Sequence, residues 1–203
     1  MKIDPANTSQ KDIYKILTGT VIPRPIGWVS SISESGLPNL APFSFFNAVG
    51  EDPPHIMFST VRSGNTNKDT LNNVLATKQF VVNMATEDLV DAMNATSVNL
   101  PPDSNEFEFA GVTPLASDIV AAPRVKESPV SFECELVHHY SLEGHQDGGA
   151  TIMIGRIVMF HVDDSILLDN YKINQDAYRP VARLAGANYA KLGEIFSIKR
   201  PFI

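Results

Sequence analysis

Apolar residues recur along this chain at two spacings. "PIGWVSSIS" alternates, with Trp28, Ser30 and Ile32 on one face and Gly27, Val29 and Ser31 on the other. That is the period of a strand. "ESG" turns it into "LPNLAPFSFF", which is expected to pair back as a hairpin. His55 to Ser59 reads as a further strand behind a Pro-Pro entry, and "QFVVNM" as another. In "PVSFECELVHHYSL", Val130, Phe132, Cys134 and Leu136 alternate with Ser131, Glu133 and Glu135. After an "EGHQDGG" turn, "ATIMIGRIVMFHV" is long enough to bend around a barrel, and Gly155 within it predicts a bulge or a close backbone approach.

Helical spacing is rarer. Ser9-Gln10-Lys11-Asp12 reads as a capping box for a short helix carrying Ile13, Ile16 and Leu17, closed by Gly19. Asn67-Lys68-Asp69-Thr70 caps a second, with Leu71, Val74 and Leu75 as its buried stripe. Thr86 begins a third that turns Leu89, Val90 and Met93 inward. Ser97 to Arg124, rich in Pro, Ser and Asp, reads as a long irregular excursion. Half a dozen strands joined mainly by hairpins predict an antiparallel barrel, not a parallel sheet. The 203 residues are read as one domain, with its core over about 20–190.

One stretch resists this pattern. Phe45 and Phe46 are adjacent, so on a strand their rings point to opposite faces, and one needs an apolar surface outside the core. Asn47-Ala48-Val49-Gly50 follows, small enough for something flat to approach the backbone.

Composition narrows the function. A formal charge of −7 argues against nucleic acid or an anionic membrane as the main partner. The lone Cys134 leaves no internal disulfide and no cysteine-based zinc site. No apolar run has the length of a membrane span, and the first residues lack a signal-peptide core, so a cytoplasmic location is expected.

Within that acidic chain, "STVRSGNTNKDTLNNV" is locally cationic. It gathers Ser59, Thr60, Arg62 and Lys68 beside the free N–H groups of a helix start, a setting that suits a phosphate. No Walker-type glycine spacing accompanies it, and a solvated Lys68 on a helix capped by Thr66 or Asn67 is the simpler alternative. In "RPVARLAGANYAKL", the small residues 185–187 beside Arg183 and Tyr189 could form the lid of a flat pocket or an ordinary surface helix. His138, His139 and His145 invite a metal reading, but neighbours on a strand face oppositely and no helical Asp/Glu–His spacing supports it, so no metal is expected. A nucleophile elbow and a dinucleotide glycine motif are both missing.

Taken in order, "IPRPIGWVSS", "NLAPFSFFNAVGEDPPHIMFS", "KDTLNNV…FVVNMA", "TIMIGRIVMFHVDD" and "RPVARLAGANY" resemble the flavin reductase-like proteins of the FMN-binding split-barrel fold. The nearest subgroup resembles nitrilotriacetate monooxygenase component B and the flavoredoxins. The resemblance implies a mainly β, six-stranded Greek-key split barrel with a few peripheral helices, homodimeric, with one FMN per subunit. It implies that Ser44, Phe45, Phe46, Asn47, Ala48 and Val49 run past the isoalloxazine, and that Ser59, Arg62, Lys68, Asp69 and Thr70 surround the phosphate. Trp28, Ser30, Arg183 and Tyr189 complete the expected cofactor set, the last two bordering the flavin pocket.

The implied activity is that of an NAD(P)H:flavin reductase, with hydride transfer at flavin N5 and a possible partner monooxygenase. One departure weakens the nicotinamide half. Where many relatives that oxidise NAD(P)H carry Gly-Asp-His, this chain has Gly148-Gly149-Ala150, and neither His145 nor His161 is aligned with the missing histidine. Two alternatives therefore stand beside it. One is a flavoredoxin-like electron carrier without reductase activity. The other is a non-redox barrel for a planar ligand such as haem, with His138 or His139 axial.

Overall fold

A computed structural model of the protein describes residues 1–62, 67–101, 104–142 and 149–201. Seven strands form one antiparallel sheet: β1 (Gly27–Ile32), β2 (Pro38–Phe43), β3 (Phe46–Glu51), β4 (Pro54–Val61), β5 (Gln79–Met84), β6 (Val130–Ser141) and β7 (Ala150–Val162). Their order is β2-β1-β5-β6-β7-β4-β3. The hairpin expected at "ESG" is present, with Gly36 at φ 88° and Ser33 N–H donating to the Leu37 carbonyl at 2.9 Å. The turn expected over "EGHQDGG" lies almost wholly outside the described residues, although β6 and β7 pair on either side of it.

Among the described residues the sheet has seven strands, not six, and its two end strands do not pair with each other. The extra strand comes from the segment read as a single run through Phe46. Pairing ends at Phe43 on β2 and resumes at Phe46 on β3, which turns to pair with β4 (Asn47 opposite Met57, Ala48 opposite Ile56). The two end strands are thus joined by Ser44 and Phe45 alone, and the sheet curls until Phe43 meets Phe58 with ring centroids 5.0 Å apart. Inside the curl lies the main core, which includes Val29, Phe46, Phe58, Val74, Phe80, Cys134 and Met153. Gly155 fits the expectation made for it: the β6–β7 register shifts there, and a Cβ would stand 2.8 Å from Phe80 Cε1 and 3.2 Å from Cys134 Cβ.

Helix α1 (Gln10–Thr20) is capped by Ser9, whose hydroxyl accepts from Asp12 N–H, but it continues past Gly19 and leaves Ile16 and Leu17 exposed. Helix α2 (Asp69–Thr77) buries Leu71 and Val74 against the curl, with Leu75 half-buried. After a 3-10 turn from Glu87, α3 (Val90–Ala95) buries Met93. The excursion from Ser97 is more ordered than its composition suggests. It contains α4 (Glu106–Ala110), where the Asn105 side chain accepts from Phe107 N–H, and a two-stranded ladder of Pro114–Leu115 with Arg124–Val125. A second core, with Trp28, Leu40, Met93, Phe107 and Val181, fills the space between the outer sheet face and these helices.

A small sheet of Arg24–Pro25, Val181–Arg183 and Tyr189–Lys191 flanks that second core. Arg24, 5% exposed, ties it down: Nη1 donates to the carbonyls of Thr18 and Val21, each at 2.7 Å, and Nη2 to that of Leu184 at 2.9 Å. No helix among the described residues is long and apolar enough to cross a membrane.

Candidate functional site

A cavity of about 720 Å³ opens where β2, the start of α2 and the segment from Thr96 to Leu100 converge. That size is in the range of small-molecule sites, about 300–1,000 Å³. A smaller compartment of about 170 Å³ shares Pro42 and Ser97 with it and is otherwise lined by Ile26, Ser44, Met93, Asn94, Arg183 and Tyr189. The two therefore adjoin along β2.

The larger cavity is cationic at one end. Arg62 and Lys68 line it, together with Asp69 and Thr70 from the first turn of α2. Lys68 occupies the N-cap position and makes no side-chain cap, so the expected Asn67 cap is not formed; Asn67 Nδ2 is 3.3 Å from Asn72 Oδ1 instead. An uncapped first turn leaves amide N–H groups available to an anion. Thr70 is 1% exposed and its Oγ1 accepts from Asn39 Nδ2 at 2.9 Å. Asn39 thereby donates to one of the two lone pairs of that hydroxyl, whose O–H is a donor in its own right. Lys68 Nζ is held 2.5 Å from Asn99 Oδ1.

Glu106 supplies the opposite charge. Its Oε2 accepts from Leu40 N–H at 3.3 Å. Burial pushes its carboxyl above the usual range, partly offset by the N–H groups of Glu106 itself and Leu40 and reinforced by the nearby Asp69 charge.

The smaller compartment is walled by an aromatic and a guanidinium. Arg183 Cζ lies 4.5 Å from the centroid of the Tyr189 ring, a cation–π stack. Tyr189 Oη donates to Asn94 Oδ1 at 2.8 Å, which fixes the ring. Ser44 is positioned by Arg24 Nε at 3.4 Å.

The expected site residues fall into three groups. Ser44, Arg62, Lys68, Asp69, Thr70, Arg183 and Tyr189 line the two compartments. Trp28 and Ser30 do not: both are 0% exposed, because β1 is covered on both faces. Trp28 acts one step removed, since its Nε1 donates to Thr96 Oγ1 at 2.9 Å and so braces a cavity wall. Ser30 donates to the Pro123 carbonyl and accepts from Asn83. The third group, Phe45, Phe46, Asn47, Ala48, Val49 and Ser59, lines neither compartment. Phe46 is a core residue with its ring 2.8 Å from where a Cβ on Gly27 would stand, and Phe45 is half-buried. Asn47, Ala48 and Val49 are exposed on β3 at the sheet's end, and Ser59 lies on the face of β4 opposite Phe58 and Thr60. The wall runs along β2 from Asn39 to Phe43, just before the bend and not through it.

Asn39, Asn99 and Glu106 were not anticipated. Asn105-Glu106 carries a recognisable cap signal, but it sits inside a segment whose Pro and Ser content reads as loop. Glu133, on the face of its strand opposite Phe132 and Cys134, is fully buried. Its Oε1 accepts from Asp118 N–H and His161 Nε2, and its Oε2 from Ile119 and Val120 N–H, at 2.6–2.9 Å. Burial raises this carboxyl, but those donors outweigh it and bring it down to about 2. Asp118, Glu133 and His161 present ligand-type atoms within 4.8 Å of one another, yet both Glu133 oxygens are already engaged by donors, which makes the cluster a clamp on the 118–120 loop. His138 and His139 are exposed on β6 and line neither compartment; His145 lies outside the described residues.

Known proteins resemble this chain in sequence and in fold. A model of the flavin reductase like domain matches residues 18–182. A protein of Aquifex aeolicus is 46% identical over 185 residues, 91% of this chain and 92% of that one. Nitrilotriacetate monooxygenase component B from Bacillus cereus superposes with a TM-score of 0.93 at 40% identity, covering 98% of each chain. A split-barrel protein of Shewanella frigidimarina superposes at 0.85 over 99% of this chain and all of its own, at 21% identity, a likeness of fold.

Proposed function

This chain belongs to the flavin reductase like family, and from that premise we propose that it is an FMN-binding oxidoreductase whose cofactor lies along β2. The observation that carries the reading is the adjacency of a cationic cavity end and a compartment walled by the Arg183–Tyr189 stack. Arg62, Lys68, the Thr70 hydroxyl and the first N–H groups of α2 fit a phosphate: each hydrogen bond involving a charged group is worth about 1.5–3 kcal/mol. Ser44, Arg183 and Tyr189 fit the ring system. When bound, FMN would supply hydride chemistry at N5, with NAD(P)H as donor.

The residues of the chain then orient and shield. Asn39 holds the Thr70 hydroxyl at the anion end, Asn99 steadies the Lys68 ammonium, and the Tyr189–Asn94 bond keeps one wall rigid. Homodimerisation would account for Phe45 and the exposed Asn47–Val49 strand, which a second copy would bring against a flavin. The likeness to a monooxygenase component favours an oxygenase partner that uses reduced flavin. We place the protein in the cytoplasm.

Mass spectrometry of the chromophore released from the purified protein tests the cofactor; recovery of FMN is expected, and haem or no chromophore overturns the reading. Anaerobic stopped-flow mixing with NADH and NADPH tests the donor. Ala150, at the start of β7 where a histidine would help position nicotinamide, favours a second reading as an electron carrier. Bound flavin that neither nucleotide bleaches would establish it.

A further inference from the structure

Glu106 is unusual among the groups lining the cavity. It is 9% exposed, yet among the described residues no side chain donates to its carboxylate and no cation pairs with it. Lys68, the nearest ammonium in the cavity lining, is engaged by Asn99 instead. A cavity-lining carboxylate with backbone N–H groups as its partners retains acceptor capacity. A ligand that brought donors would meet it.

Its position along β2 says which part of a ligand that is. Asn39 holds Thr70 at the cationic end, Leu40 N–H holds Glu106, and Pro42 and then Ser44 line the smaller compartment. With a rise of about 3.3 Å per strand residue, Glu106 stands just past the anion end and before the compartment walled by Tyr189. We propose that Glu106 is the hydroxyl-recognising residue of this cavity, accepting hydrogen bonds from the polyol chain that links a flavin ring to its phosphate. The inference rests on the FMN reading and adds to it a basis for selectivity: hydroxylated flavin phosphates bind, and those with a bare alkyl chain are disfavoured.

The test is fluorescence titration of the flavin-free protein with two probes, FMN and a flavin carrying an unhydroxylated pentyl phosphate chain. Wild type is expected to prefer FMN by about tenfold or more, the worth of one hydrogen bond to a charged group. Glu106→Met is expected to lower FMN affinity to that of the alkyl probe and leave the probe within about twofold of its wild-type value. Glu106→Gln, which keeps a neutral acceptor of the same size, is expected to retain an intermediate preference. It decides the matter if the Met variant does not fold, since an unchanged preference in it overturns the inference. Equal weakening of both probes, or no preference in wild type, also overturns it while leaving the FMN reading intact. Wild type that binds neither probe removes the FMN reading, and this inference with it.

Discussion

Replacing Glu133 with glutamine removes one charge from the fully buried clamp and changes no volume. The carboxylate accepts four hydrogen bonds, three of them from consecutive backbone N–H groups of the 118–120 loop. A glutamine oxygen can serve one pair of these donors, but its NH₂ then faces the other pair. The displacement of this carboxyl from 4.5 to about 2 corresponds to about 3 kcal/mol of folded-state stability. Because the folded value is depressed, that contribution is complete above about pH 4.5 and is lost as pH falls toward 2. Urea unfolding at a series of pH values is the assay. Glu133→Gln should be less stable by about 3 kcal/mol at pH 7, and the gap to wild type should shrink by more than half on reaching pH 3. A gap that keeps its full size at pH 3, or a variant as stable as wild type at pH 7, refutes the view that the charge itself holds the loop.

Two further outcomes can be checked. Lys68→Glu should lower FMN affinity by about a hundredfold or more, as a charge-assisted bond is replaced by repulsion; titration showing unchanged retention would take Lys68 off the phosphate. Gly155→Val should destabilise by about 1–3 kcal/mol or more, since its branched side chain would have to displace the Phe80 ring and Cys134. A thermal midpoint equal to wild type would show that the bulge can relax.

Much of this architecture is legible in the sequence because it is local. Alternation in β1, β6 and β7, the turn at Gly36 and the Ser9 cap each depend on residues a few positions apart. The cationic half of the site is legible for the same reason, since Arg62, Lys68 and Thr70 are near neighbours in the chain. Four things escape. Trp28 and Ser30 share one face of an alternating strand and belong to the expected cofactor set, but α3, α4 and the loop before β6 cover the outer face of β1, and a strand period cannot report a second layer. The break at Ser44-Phe45 interrupts a run of strand-forming residues: the chain leaves β1 as partner of β2 and takes β4 as partner of β3, and a strand period does not report a change of partner. Glu106 and Leu40 meet only after a 66-residue excursion returns α4 to β2. The burial of Glu133 leaves no trace in the alternation, because the loop that covers it contributes backbone donors, which residue identity does not report.

The grip of Arg24 has a wider reach than its own neighbourhood. A single planar cation tethers the carboxyl end of α1, the Leu184 turn and the Ser44 hydroxyl. The opening helix and the closing hairpin of the chain, far apart in sequence, thus share one knot, and whatever expels the guanidinium unties both together. Since Ser44 also borders the small compartment, a ligand settling there would stiffen the two extremities of the polypeptide, which should become protease-resistant in concert.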